Sequence, residues 1–510
     1  MHVYRGNILM RLAKNKTLGM ICLAAMFFAG LPVRAVVAGP DVKSVVSGGA
    51  SFQQNGNDTT IHAGDNAIIE YHNFDIAHDE SVTFVQPDVT SRVLNRVLSD
   101  NPSLIYGRLS ANGIVYLTNR AGIVVGPDAV VDAGAFYAAA GHISNDDFLA
   151  QIDRFTDLEG QITNEGHIKA DAIYLLAEKI ANTGTIESRD GTVAMLVGDD
   201  IVIGHPLDDF AIRIEGVASD HRETGIIQAG HIDAGQGRVM FGAGDMAALA
   251  IHHTGTTRAR QVHFDAGKTG SAVIEGEIDT KNRAPENQGG TITVAASEIE
   301  INNAALDASG NNGGGTMEIG GGLRGQGARF NADRVSIRQN STLRADALKN
   351  GDGGTVIIWS DVRTEFYGTL LARGGAFSGD GGFAEISGKT LMARGQVDLS
   401  APHGQTGTLL YDPVNIRIVG GTADGDDNPD AANNNVQGDS GSDGLIDITD
   451  TGTGADPFLI YESEIENTNA NIILEAEENI TVSGDFGGDD LLLLPNNDLV
   501  LRIRNDGNAG

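Results

Sequence analysis

Along most of the chain, apolar residues alternate with polar ones over only four to six positions before a Gly- or Asn-bearing corner interrupts them. Ile114, Tyr116 and Thr118 alternate with Val115, Leu117 and Asn119, and the next run, Ile123 to Gly126, starts a few residues later. Alternation of period two predicts strands, and corners this close leave no room for helices there. The pattern also repeats. Ile162-Thr-Asn164-Glu-Gly166-His-Ile168 recurs as Ile180-Ala-Asn182-Thr-Gly184-Thr-Ile186, and Ile173, Leu175 and Ala177 are answered by Val193, Met195 and Val197. A unit of this size holds two or three short strands, cannot bury an apolar face alone, and must stack on its neighbours.

Further along, a Gly-Gly corner opens each strand: Gly289-Gly290-Thr291, Gly314-Gly315-Thr316, Gly353-Gly354-Thr355 and Gly381-Gly382-Phe383. The chain has 68 Gly and only 12 Pro, which suits a ladder with many tight corners and few missing N–H donors. These features predict an all-β fold, a right-handed parallel β-helix (solenoid), with Ile173, Leu175, Val193, Met195, Ile299 and Ile301 stacked inside. Residues 171–182 have helix-favouring composition, but their repeat partner at 192–199 is β-rich and argues for strands. About 16 coils at ~4.8 Å would give a monomeric rod ~75 Å long.

The segment holding Asn101-Pro102-Ser103 with Ile105, Gly107 and Leu109, then Ala111-Asn112-Gly113 with Val115, Tyr116 and Leu117, then Asn119 with Gly122 and Ile123, resembles the secretion domain of the filamentous haemagglutinin family. The likeness covers roughly residues 45–250. Where that family usually has Asn-Pro-Asn-Gly, this chain has Asn119-Arg120-Ala121-Gly122. The resemblance implies an exported partner of a two-partner secretion system. Asn101, Pro102, Asn112, Gly113, Asn119 and Gly122 would form its secretion motif. The periplasmic domains of a dedicated outer-membrane pore protein would recognise it, and the chain would cross unfolded. It further implies a surface adhesin of a Gram-negative bacterium, with an unidentified host or bacterial ligand.

The amino terminus fits export. Arg5, Arg11, Lys14 and Lys16 precede or flank an apolar run from Leu18 to Leu31, with no acidic residue before Ala35. This is read as a signal peptide over 1–35, cleaved after Ala35 or Ala38. The only cysteine, Cys22, falls inside it, so the exported chain would have no disulfide and would depend on its own core. The formal net charge of −33 excludes nucleic acid as a partner. The remaining division is a secretion domain over 36–255, Gly-rich repeats over 256–419, and an acidic loop with further coils over 420–510. The lack of an evident terminal cap suggests the front part of a longer protein.

Candidate chemistry is sparse. Gly438-Asp439-Ser440-Gly441 matches a serine-protease tetrapeptide but sits in a low-complexity acidic loop with no partner histidine in view. Asp199-Asp200 and Asp208-Asp209 are the nearest paired carboxylates, and adjacent strand residues face opposite ways. Asp424 and Asp426 begin like a calcium loop, but Pro429 and Asn435 stand where Gly and Glu are needed, so at most weak binding is expected within 424–450. His62, His72, His78, His252 and His253 show no metal spacing and read as surface or corner residues. No catalytic residue, cofactor or metal is assigned. A polysaccharide-active enzyme on the same fold, and the front of a toxin-delivery or haem-acquisition exoprotein, are the alternatives.

Overall fold

The computed structural model describes residues 39–204, 212–215, 224–244, 249–282, 284, 287–420, 457–483 and 491–504. The signal-peptide reading, Cys22, Asp208-Asp209, Asp424, Asp426 and Ser440 fall outside these residues. The chain winds as a right-handed parallel β-helix. Successive coils pair in register, and one inward column runs Ala67, Val93, Val115, Phe136, Ile173, Val193, Val239, Val262, Ile292, Met317. It continues through Val356, Ala384, Leu409 and Ile472. All of these side chains are buried. Stacking like on like excludes water from a continuous aliphatic interior, worth ~25 cal/mol per Å² of apolar surface.

The repeats read from the sequence lie side by side. Asn164 pairs with Asn182, and Thr291, Thr316, Thr355 and Phe383 form one column. Residues 171–182 are strands, Ala172–Ala177 and Lys179–Asn182, because their apolar positions continue columns set by the coils on either side. At the Gly-Gly corners the backbones of successive coils come so close that a Cβ on Gly315 would strike the Gly290 carbonyl, and one on Gly354 the Gly315 carbonyl. Inside, the Asn164 amide donates to Asn182 Oδ1 and the Asn182 amide to Gln228 Oε1, each at 2.7 Å. His253 continues this polar column within the core, not at the surface. Its ring bonds Thr257 Oγ1 and the Glu275 carbonyl at 2.9 Å, and burial pushes it down to about 4.

Two departures from the helix frame the amino-terminal half. Strand Asp41–Ser47 runs antiparallel along Ala67–Asn73, and the hairpin Ala50–Asn55/Asp58–Ala63 precedes the first regular coil. Together they cover edge groups that would otherwise be free to pair with other chains. The second is an insertion on the outer face. It comprises helix Asn145–Leu149, capped by the Ser144 hydroxyl, and an antiparallel sheet of Asp153–Phe155, Asp200–Ile203 and Ile212–Glu215. Beneath it Tyr116, Tyr137 and Tyr174 stack at 4.2 and 4.5 Å, and the Tyr116 hydroxyl donates to buried Asp153 at 3.0 Å.

Farther along, acids are buried on an outward face. Glu385 accepts the Arg324 N–H at 2.9 Å, Glu475 pairs with Arg324 and Arg502, and Asp412 with Arg504. Burial pushes Glu385 up to about 7, against the Arg324 and Ser387 hydrogen bonds, and Asp412 up to about 6 despite Arg504. Because the folded value of Glu385 lies above its ordinary 4.5, its contribution is full below pH 4.5 and is lost as pH rises through about 7. Glu385→Gln is therefore expected to gain stability relative to wild type between pH 5 and pH 8 in urea titrations. An unchanged difference between the two proteins would contradict this.

Candidate functional site

The residues of the motif converge on the two ends of a single strand, Ile114–Asn119, which lies between Arg92–Val97 and Ala135–Ala139. At its start, the Asn112 side chain acts as an extra rung of ladder. Its Oδ1 accepts the Gln86 N–H at 2.8 Å and its amide donates to the Gln86 carbonyl at 2.9 Å. The Gln86 amide in turn donates to the Ser91 carbonyl at 2.6 Å. Gly113 packs into this network, where a Cβ would lie 2.6 Å from the Ser91 carbonyl oxygen.

At the other end, Asn119 is fully buried and makes three bonds that define the turn. Its amide donates to the Asn101 carbonyl at 3.1 Å and to Ser103 Oγ at 3.0 Å, while its Oδ1 accepts the Ala121 N–H at 2.9 Å. The turn closes with the Gly122 N–H on the Asn119 carbonyl at 2.9 Å, and the Gly122 carbonyl then accepts the Ser103 N–H at 3.0 Å. Gly122 has φ +115° and a Cβ there would lie 2.6 Å from the Gln161 carbonyl oxygen, so the position requires glycine on both counts. Pro102 is exposed and enters strand Ser103–Ile105 beside Asn101, where its fixed φ costs no ladder bond. The inner residues Arg120 and Ala121 thus stand in a turn built by Asn119 and Gly122, and Arg120 points outward to Glu159 at 2.9 Å.

Ser103, quoted in the Asn101-Pro102-Ser103 segment, completes the second corner; Gln86 and Ser91 complete the first and carry no signal in the sequence, because each belongs to a neighbouring coil at a separation the repeat does not fix. Asp199 is exposed and Asp200 half-buried in the insertion sheet, and the structure does not bring them to the motif. His252 faces outward to Glu275 at 3.2 Å while His253 faces in, the opposition expected of strand neighbours. Among the described residues, no group of three or more His, Cys, Asp or Glu is arranged to hold a metal ion.

The family profile described as TPS secretion domain matches residues 37–282. The chain carries a TPS secretion domain. It is 32% identical over 208 residues, 38% of this chain and 23% of the relative, to a heme/hemopexin-binding protein of Haemophilus influenzae strain Rd. A second heme/hemopexin-binding protein of Haemophilus influenzae is 35% identical over 21% of this chain and 12% of its own length. The matches thus span under a quarter of these relatives. Among solved structures, the HMW1 secretion domain of Haemophilus influenzae aligns with TM-score 0.60 and 28% identity, over 71% of this chain and 99% of that one. Residues 37–282 are accordingly a secretion domain of the two-partner-secretion type. TPS exoproteins cross the outer membrane of Gram-negative bacteria, and the domain implies a cognate outer-membrane transporter.

Proposed function

We propose that this exoprotein is displayed or released at the bacterial surface as an adhesin, after export directed by the two corners flanking strand Ile114–Asn119. The observation that carries the export reading is their shared construction: each is fixed by an asparagine side chain bonding a neighbouring coil, with a glycine where no Cβ fits. In this reading a signal peptide over 1–35 delivers the chain to the periplasm and soluble domains of the transporter engage residues 36–255. Residues 256–419 and 420–510 supply the coils displayed outside. Folding beyond the pore would oppose backsliding, since every added coil buries apolar surface.

Haem acquisition is a second reading, favoured by the heme/hemopexin-binding relatives. Neither reading invokes catalysis. Purified full-length protein should be tested for attachment to epithelial cells and, in parallel, for capture of haem-loaded hemopexin. Saturable cell attachment without hemopexin capture supports the adhesin; the reverse result replaces it with haem acquisition.

A further inference from the structure

A groove of about 330 Å³ opens on an outward face downstream of the insertion, across the strands Ser271–Asp279, Glu298–Asp307, Ala332–Ile337 and Thr355–Phe366. Two side-chain columns form it. Glu298, Arg334 and Arg363 stand in register on successive coils, and beside them stand Glu300, Ser336 and Glu365. The register places two arginines directly opposite one another, about one strand spacing (~4.8 Å) apart, a like-charge arrangement that is unfavourable by itself.

Neighbouring acids relieve it only in part. Arg363 Nε donates to Glu365 at 2.8 Å, and Glu365 is shared with Arg338 at 3.4 Å. Arg338 also takes Glu300 at 3.5 Å. Arg363 is only 6% exposed, and its Nη1 is buried with no hydrogen-bond partner. The Arg334 guanidinium forms no ion pair among the described residues. A buried guanidinium donor left unmet is costly, and two adjacent forks suit a planar carboxylate.

We propose that this groove binds the carboxylate of a hexuronic acid residue in a saccharide, held between Arg334 and Arg363. Three features select this ligand over other anions. Glu298 and Glu300 border the arginines, so a ligand must bring a single negative charge to the fork and offer hydroxyl donors to the acids around it. Val273 supplies an apolar patch suited to the C–H face of a sugar ring. The volume lies at the low end of small-molecule sites, which fits about one sugar residue. The site needs no part of the export machinery and stands apart from the adhesin and haem readings.

The test is calorimetric titration of purified full-length protein with glucuronate- and galacturonate-containing oligosaccharides, against the neutral glucose oligomer and acetate. A uronate oligomer should bind, and both controls should bind at least about tenfold more weakly: the glucose oligomer because it brings no carboxylate to the arginines, and acetate because it brings no ring for Val273 and no hydroxyl donors for the bordering acids. Arg334→Gln should weaken uronate binding by about tenfold or more at an unchanged unfolding midpoint, since this side chain holds no ion pair to lose. Arg363→Gln serves as the second variant, with its fold checked by circular dichroism. Absence of uronate binding at millimolar concentration, full affinity in Arg334→Gln, or equal affinity for acetate would each overturn the assignment.

Discussion

Replacing Asn119 and Gly122 together with Ala is expected to cut extracellular protein by at least about tenfold and to leave the chain in the periplasm or degraded there. The Asn119 side chain makes three hydrogen bonds from a fully buried position. At about 1 kcal/mol each, with a further cost for buried groups left unmet, their loss removes roughly 3–5 kcal/mol from this corner. A Cβ at position 122 adds a clash with the Gln161 carbonyl, so the adjoining coil cannot remain in place. Arg120→Ala supplies the control. That side chain is exposed and, among the described residues, its ion pair is with exposed Glu159, an interaction worth little, so export should continue near the wild-type level. Wild-type secretion of the double variant would show that the turn is not needed for export. Loss of export in Arg120→Ala would move the determinant from the buried geometry to the surface charge.

The second large effect is expected at the glycine column. Gly315→Val places a side chain against the Gly290 carbonyl and within 2.7 Å of the Ala308 carbonyl, both rigid backbone. The coils on either side cannot separate without breaking ladder bonds. A loss of about 3 kcal/mol or more is expected, the range of severe overpacking. Urea unfolding would measure it, and amide exchange would place the weakened coils around residues 290–360. Gly49, with nothing within 4 Å of a built Cβ, is the contrasting position, where Ala should change stability by less than about 0.5 kcal/mol. Equal effects at the two positions would mean that coil spacing does not limit this corner.

The parts of this fold legible in the sequence are those set by the repeat. Thr291, Thr316, Thr355 and Phe383 were aligned by their Gly-Gly corners alone, and they share a column because a parallel coil must bring equivalent positions back to one face. The strand character of residues 171–182 was settled the same way, by the register of a neighbour against local helix propensity. Contacts between coils of unequal length were not legible. Asn112 meets Gln86, Tyr116 meets Asp153, and Arg324 reaches Glu475 across 151 residues. No period relates these pairs: the first extends the ladder between unequal coils just beyond Phe84 and Ala111, and the other two depend on how far an insertion or a loop folds back over the outer face. His253 was missed for a related reason. It occupies a column begun by asparagine and glutamine, where a histidine completes a polar ladder instead of breaking it.

The tyrosine column and the sole tryptophan give the molecule two separate optical signatures. Tyr116, Tyr137 and Tyr174 lie nearly parallel, at interplanar angles of 8° and 19°, so their ring transitions couple and report on the coils beneath the insertion. Trp359 instead sits against Gly325 with its indole N–H on Asp361, and its emission reports on coils well downstream. Tryptophan fluorescence can therefore time the downstream coils, and the part of the near-ultraviolet dichroism that Tyr137→Phe removes can time those beneath the insertion, distinguishing winding that proceeds from the amino end from winding that begins elsewhere.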